Sequence, residues 1–208
     1  MRRPNQAERA DLAIARAAAA VHRSAPVRAL GWVSELADQP QLISICCATL
    51  GSGMLLRDRR LARAGARMLA AELLATELKN LVKHRIDRTR PTVIAGGGRY
   101  WAGRGDDPAH EMTSFPSGHT AGAVAVAGAI ARSYPAHRAA AFGTAAAIGA
   151  IQVPRCTHFV SDVGAGAVVG LVAAQAVAIG ETLGGRALAP VVARLWVLGR
   201  FNPMRWLG

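Results

Sequence analysis

Cysteine, lysine and aromatic residues are all scarce in this chain. Three cysteines in 208 residues cannot frame a disulfide scaffold or a cysteine-built zinc module. Aromatic residues make up 5% and are not interleaved with basic ones, which argues against an RNA-binding sheet. Charged residues supply 18% against 51% apolar, the reverse of a disordered chain. Lysine occurs only at Lys79 and Lys83, so arginine carries most of the formal charge of +12. The arginines are dispersed over helix ends rather than gathered on one stripe, which argues against a nucleic-acid partner. The opening residues lack the continuous apolar core and small-residue cleavage site of a signal peptide.

What the chain does have is apolar, Ala- and Gly-rich segments of helical character. Residues 4–22 form an amphipathic helical pattern with Leu12, Ile14, Ala18 and Val21 near one face. A second short helix is expected over residues 27–36, after Pro26, and both suit a membrane interface. Residues 41–56 carry no charge and stop at the RDRR run, 57–60. Further segments cover 64–82, 120–131, 139–153, 163–180 and 187–198, the first of them bearing Arg67, Glu72, Glu77 and Lys79. A spanning helix needs about 20 apolar residues, so the 163–180 run comes closest alone. Small residues are common where membrane helices pack closely. Strand-like alternation is missing. The fold expected is all-α: a membrane-embedded helical bundle of about five to six helices with an N-terminal amphipathic helical segment. Residues 1–38 would form that segment and residues 39–208 the transmembrane helical domain. The long irregular stretch 91–115 reads as functional rather than connective.

Three polar clusters interrupt this pattern. Lys83 and Arg90 are seven residues apart, nearly two helical turns, and Pro91 ends any helix there. Taken alone, the cluster is also what a basic helix terminus looks like. The second, Pro116-Ser117-Gly118-His119, precedes an Ala-rich run, so Ser117 can cap a helix whose first-turn amides face an anion. Gly118 lets backbone approach a ligand, and His119 stands in the first turn. In the third, His158 and Asp162 are four apart just before the longest apolar run, and a carboxylate so placed can orient an imidazole.

In chain order these clusters read K-x6-R-P, P-S-G-H and H-x3-D. The trio resembles the type-2 phosphatidic acid phosphatase superfamily, which also includes bacterial class A acid phosphatases and vanadium haloperoxidases. The resemblance covers roughly residues 41–180, with its specific motifs inside 83–162. It implies metal-independent hydrolysis of a lipid or isoprenoid phosphate monoester or diphosphate through a phosphohistidine, with no cofactor. His158 would be the nucleophile, Asp162 would hold its ring, and His119 would be the general acid. Lys83, Arg90, Ser117 and the Gly118 amide would hold the phosphate oxygens.

One position departs from the family pattern, S-R-x5-H-x3-D. Ile151 and Gln152 stand where it has Ser-Arg. Gln152 can donate to a phosphate oxygen but lacks the charge and fork of arginine, and Arg155, three residues before His158, is a candidate substitute. The alternative reading is therefore a catalytically weakened relative that binds lipid phosphates. A haloperoxidase ranks lower, because those proteins are usually larger and soluble. The expected partners are a lipid or isoprenoid phosphate and membrane lipids. The expected location is a multi-pass position in a bacterial inner membrane, with the site facing away from the cytoplasm. No metal-binding motif is found.

Overall fold

The computed structural model describes the backbone of residues 4–197 and the side chains of residues 4–184. The end of the expected second segment, residues 198–208, lies outside the described residues. The chain begins with α1 (Gln6–Ala19) and α2 (Ala25–Ser34), followed by a 3-10 turn, Glu35–Ala37. Two long helices come next, α3 (Gln39–Leu55) and α4 (Arg59–Lys83). An irregular region then holds β1 (Ile86–Arg88), the short α5 (Pro91–Ala95), β2 (Ala102–Arg104) and a 3-10 turn, His110–Met112. Helices α6 (Gly118–Ser133), α7 (Arg138–Ile151) and α8 (Val160–Val197) follow among the described residues.

Local chemistry sets these boundaries. Asn5 and Glu8 form a reciprocal capping box on α1, with bonds of 2.9 and 2.7 Å. Pro40 sits in the first turn of α3, where its missing N–H costs nothing. Asp58 caps α4 by accepting from the Arg60 and Leu61 amides at 2.8 and 3.0 Å. Ser117 caps α6. The five helices α3, α4, α6, α7 and α8 make the bundle, with α6 packed against α4, α7 and α8, and α3 against α4.

The interior is built from small residues. Ala64, Ala71, Ala75, Ala121, Ala125, Ala129 and Ala173 are buried, whereas Met54, Leu55, Leu56, Leu81, Val168 and Ile179 face outward. In a water-soluble protein the large aliphatic side chains are mostly buried as well. Close helix approach explains the small residues: a methyl group on Gly166 would stand 2.5 Å from the Ser117 carbonyl, and one on Gly170 would collide with the Ala121 carbonyl. The segment Val160–Gly184, of mean hydropathy 1.9, is long and apolar enough to cross a membrane.

Three local expectations are corrected. The buried face of α1 is Glu8, Asp11, Leu12, Ala15 and Ala18, while Ile14 and Val21 are exposed. That face keeps the helical spacing but includes two acids, because they have partners inside the molecule. Strands are present: β1 and β2 pair antiparallel, with Ile86 opposite Arg104 and Arg88 opposite Ala102. Three residues are too few to display a period of two. Finally, α4 ends at Lys83, so no helical turn relates Lys83 to Arg90.

The bundle has two distinct ends. At one, Arg60 Nε donates to the Ser133 carbonyl at 3.0 Å and its guanidinium lies 4.4 Å over the Tyr134 ring, joining the α3–α4 and α6–α7 turns. The other end gathers α1, the β1–β2 region, the start of α6 and the α7–α8 turn.

Candidate active site

His158 lies in the α7–α8 turn and is 3% exposed. Its Nδ1 is 2.7 Å from the Ser114 carbonyl oxygen. A carbonyl only accepts, so the ring proton belongs on Nδ1 and the lone pair on Nε2. Burial pushes the imidazole down to about 4, with Arg90 and Lys83 adding to the fall and Asp162 opposing it. The ring is thus a neutral base at physiological pH, with one nitrogen tied and the other available.

Asp162, in the first turn of α8, is fully buried. Its Oδ2 accepts from Ser114 Oγ at 2.6 Å and from the Phe159 amide at 2.8 Å. The second bond is half of a capping box, because Phe159 is the residue before the helix. Ser161 therefore sits inside α8 rather than at its cap. Asp162 Oδ2 is 3.8 Å from His158 Nδ1. The ring is thus held directly by the Ser114 carbonyl, and the carboxylate stands behind it, tied to the Ser114 hydroxyl.

The Ser117 amide donates to the Asp162 carbonyl at 3.0 Å, which fixes the start of α6 against the start of α8. The Ser117 side chain accepts from the Thr120 amide and from Thr120 Oγ1, at 3.4 and 3.0 Å. Gly118 and His119 follow in the first helical turn, where amides have no carbonyl four residues back. His119 Nε2 is buried without a hydrogen-bond partner, 3.8 Å from Glu35 and 4.0 Å from Asp38. Arg90 acts electrostatically on both histidines.

Lys83 and Arg90 do converge, but by the return of the loop. Lys83 Nζ donates to the Thr113 carbonyl at 2.9 Å. Arg90 donates to the carbonyls of His110 at 2.8 Å and of Thr113 and Thr157 at 3.4 Å each. Neither cation has a carboxylate within ion-pair distance among the described residues. Two cations held only by neutral carbonyls, beside a helix N-terminus, make a place for an anion.

Gln152 and Arg155 are engaged elsewhere. Gln152 is fully buried, with Nε2 donating to Ser34 Oγ and the Ile148 carbonyl and Oε1 accepting from Thr157. Arg155 donates to Ser34 Oγ at 2.8 Å and to Glu35 at 2.5 Å. Both therefore brace the α7–α8 turn against α2 and the following 3-10 turn. Sequence reasoning missed Ser114, Arg88, Asp11, Glu35 and Asp38. Of these, Asp11 left a readable trace, as an acid on the apolar stripe of α1. Among the described residues no group of three or more His, Cys, Asp or Glu is placed to hold a metal ion.

The model of the PAP2 superfamily matches residues 64–182. The chain belongs to the PAP2 superfamily. That match runs from early α4 into α8 and includes every element of the candidate site except α1, α2 and the 3-10 turn after it. No curated protein matches the sequence. The fold is similar to the crystal structure of the first transmembrane PAP2 type phosphatidylglycerolphosphate phosphatase from Bacillus subtilis, at 21% identity and a TM-score of 0.62. The match covers 86% of this chain and 88% of that one.

Proposed function

We propose that this PAP2 protein is a membrane-embedded phosphatase that hydrolyses a lipid or isoprenoid phosphate through a phosphohistidine. The observation that carries the reading is the 2.7 Å contact between His158 Nδ1 and the Ser114 carbonyl oxygen. The Ser114 carbonyl keeps the Nδ1 proton, so Nε2 offers its lone pair beside two cations that, among the described residues, have no carboxylate within ion-pair distance. Nε2 attacks phosphorus, and the bond to the leaving oxygen breaks as His119 delivers a proton to it. Asp162 stabilises the positive charge that grows on the ring. Lys83, Arg90, Ser117 and the Gly118 amide hold the phosphate oxygens as charge redistributes. Water, deprotonated by His119, then splits the phosphorus–nitrogen bond and restores the enzyme.

The lipid character of the substrate has its own support. An apolar cavity of about 530 Å³ lies between α2, α3, α6 and α7, lined by Leu30, Val33, Leu42, Val126, Ala141 and Ile148. Ser34, which binds Arg155 and Gln152, is on its wall. Small residues inside and large apolar ones outside suit a bundle whose solvent is lipid.

The test is a phosphate-release assay in detergent over phosphatidic acid, phosphatidylglycerol phosphate and polyprenyl phosphates and diphosphates. Release is expected to resist EDTA and to be blocked by vanadate. His158→Ala should lower it by at least about a thousandfold. No release from any substrate, or release indifferent to His158→Ala, would overturn the proposal. Gln152 and Arg155 favour a second reading, a relative that binds lipid phosphates with little turnover, since neither supplies a free guanidinium. Tight binding with no release above the His158→Ala background would select it.

A further inference from the structure

Among the described residues, Arg88 is the most heavily engaged cation that the mechanism leaves unused. Its side chain is 6% exposed. Nη1 donates to Asp162 Oδ1 at 2.5 Å and to Ser161 Oγ at 2.6 Å. Nη2 donates to Asp11 Oδ2 at 2.8 Å, and Nε to the Tyr100 hydroxyl at 3.2 Å. The Phe159 ring covers the guanidinium at 4.3 Å. Burial works against this cation, but Asp162 and Asp11 outweigh it and hold its pKa above the usual arginine range.

Asp11 comes from α1, upstream of the residues that match the family. Besides Arg88 it accepts from the Ser161 amide at 3.2 Å and from the Ser161 hydroxyl. A residue of the first helix thus caps the first turn of α8 and grips the cation behind Asp162. The order Asp11, Arg88, Asp162 alternates in sign and leaves one net negative charge.

We propose that Asp11, acting through Arg88, is a positioning residue for the His158–Asp162 pair, and that α1 is therefore part of the catalytic apparatus. The inference rests on the phosphatase reading above. Arg88 fixes Asp162 Oδ1, leaving Oδ2 to Ser114 and the His158 side. Without a counter-charge, the guanidinium would neutralise Asp162 and remove its support for a cationic ring. Asp11 is that counter-charge. The balance at His158 is exposed to such a change. Asp162 faces it from α8 as the carboxylate, whereas Lys83 from α4 and Arg90 beyond β1 face it as cations.

The experiment uses the full chain in detergent, with Asp11→Asn and Arg88→Lys as variants. Three quantities are measured: kcat, KM, and the titration midpoint of the His158 ring by NMR. Asp11→Asn is expected to lower kcat about 10- to 100-fold, as for a displaced catalytic group, and to leave KM within about twofold. The His158 midpoint should fall, because the ring loses negative charge nearby. Arg88→Lys keeps a cation between the carboxylates but gives up the fork. It should lower kcat with KM unchanged, and it carries the test if Asp11→Asn does not fold. Restored charge in Asp11→Glu should return the midpoint to the wild-type value. Wild-type kcat and midpoint in folded Asp11→Asn, or wild-type kcat in Arg88→Lys, would overturn the proposal. Absence of phosphate release from the wild type would instead defeat the functional reading, and the His158 midpoint in Asp11→Asn would still decide this one.

Discussion

A buried neutral histidine links folding to pH, and His158 supplies the sign. Its pKa falls from 6.5 to about 4 on folding, chiefly because burial penalises the charged ring. Between those values the unfolded chain binds the proton and the folded chain does not, so stability falls as pH falls. At 1.36 kcal/mol per unit, this one group removes about 3 kcal/mol between pH 6.5 and 4, as an order of magnitude. Thermal unfolding in detergent at stepped pH values checks it. The wild-type Tm should drop with acidification, and His158→Asn should drop less steeply over the same range. Parallel curves for the two proteins would show that His158 is not the group responsible. Gln152 is a contrast at the same scale. Its sequence position marks it as the family arginine's replacement, but its amide serves Ser34, Ile148 and Thr157 inside the protein.

Helix packing translates single atoms into site geometry, and α8 against α6 is the contact that matters most. Gly166 meets the Ser117 carbonyl, and Gly170 meets the Ala121 carbonyl one turn further along. Adding a methyl at either place forces the helices apart, and overpacking of this kind costs about 1–3 kcal/mol. Gly170→Ala should therefore lower Tm and leave KM alone. Gly166→Ala should lower Tm and also kcat, because the displaced carbonyl belongs to the residue that caps α6. Unchanged Tm and turnover in Gly166→Ala would mean that the two helices do not meet there. The helix start after Ser117 was legible because a capping residue marks it, whereas the segments expected from 41 and 64 begin at Gln39 and Arg59. The motif trio likewise fell at one end of the bundle. What could not be read was made by tertiary return of the chain. Lys83 and Arg90 meet through Thr113, not through a helical repeat. No local pattern points from Asp11 to Arg88, seventy-seven residues on. The carbonyl of Ser114 carries no residue-type signal at all, since any residue would present one.

Among the described residues, charged side chains gather at both ends of the bundle, and large apolar ones such as Leu73, Val168, Leu171 and Val172 are exposed between them. At the end away from the site, Glu181 pairs with Arg67 at 2.7 Å and with Arg132 at 3.4 Å, and the exposed RDRR run lies nearby in the α3–α4 turn. At the site end stand Lys83, Arg88, Arg90 and Arg155. A count of arginines and lysines on each side therefore cannot orient the protein, because the residues proposed to hold phosphate enter the count. In a Cys47→Ser background, which removes the exposed native thiol, a cysteine at Asp107 reports the site end and one at Arg59 the far end; both positions are exposed. With the site facing away from the cytoplasm, a membrane-impermeant maleimide added to intact spheroplasts should label Asp107→Cys. Arg59→Cys should react only after permeabilisation. The opposite pattern would keep the bundle across the membrane and turn the site to the cytoplasm. Labelling of both from the same face would contradict a spanning bundle, because the α3–α4 turn and the loop before α6 lie at opposite ends of α4, a 25-residue helix. At 1.5 Å per residue that helix is about 37 Å long, enough to cross the hydrocarbon core with its two termini in different aqueous phases.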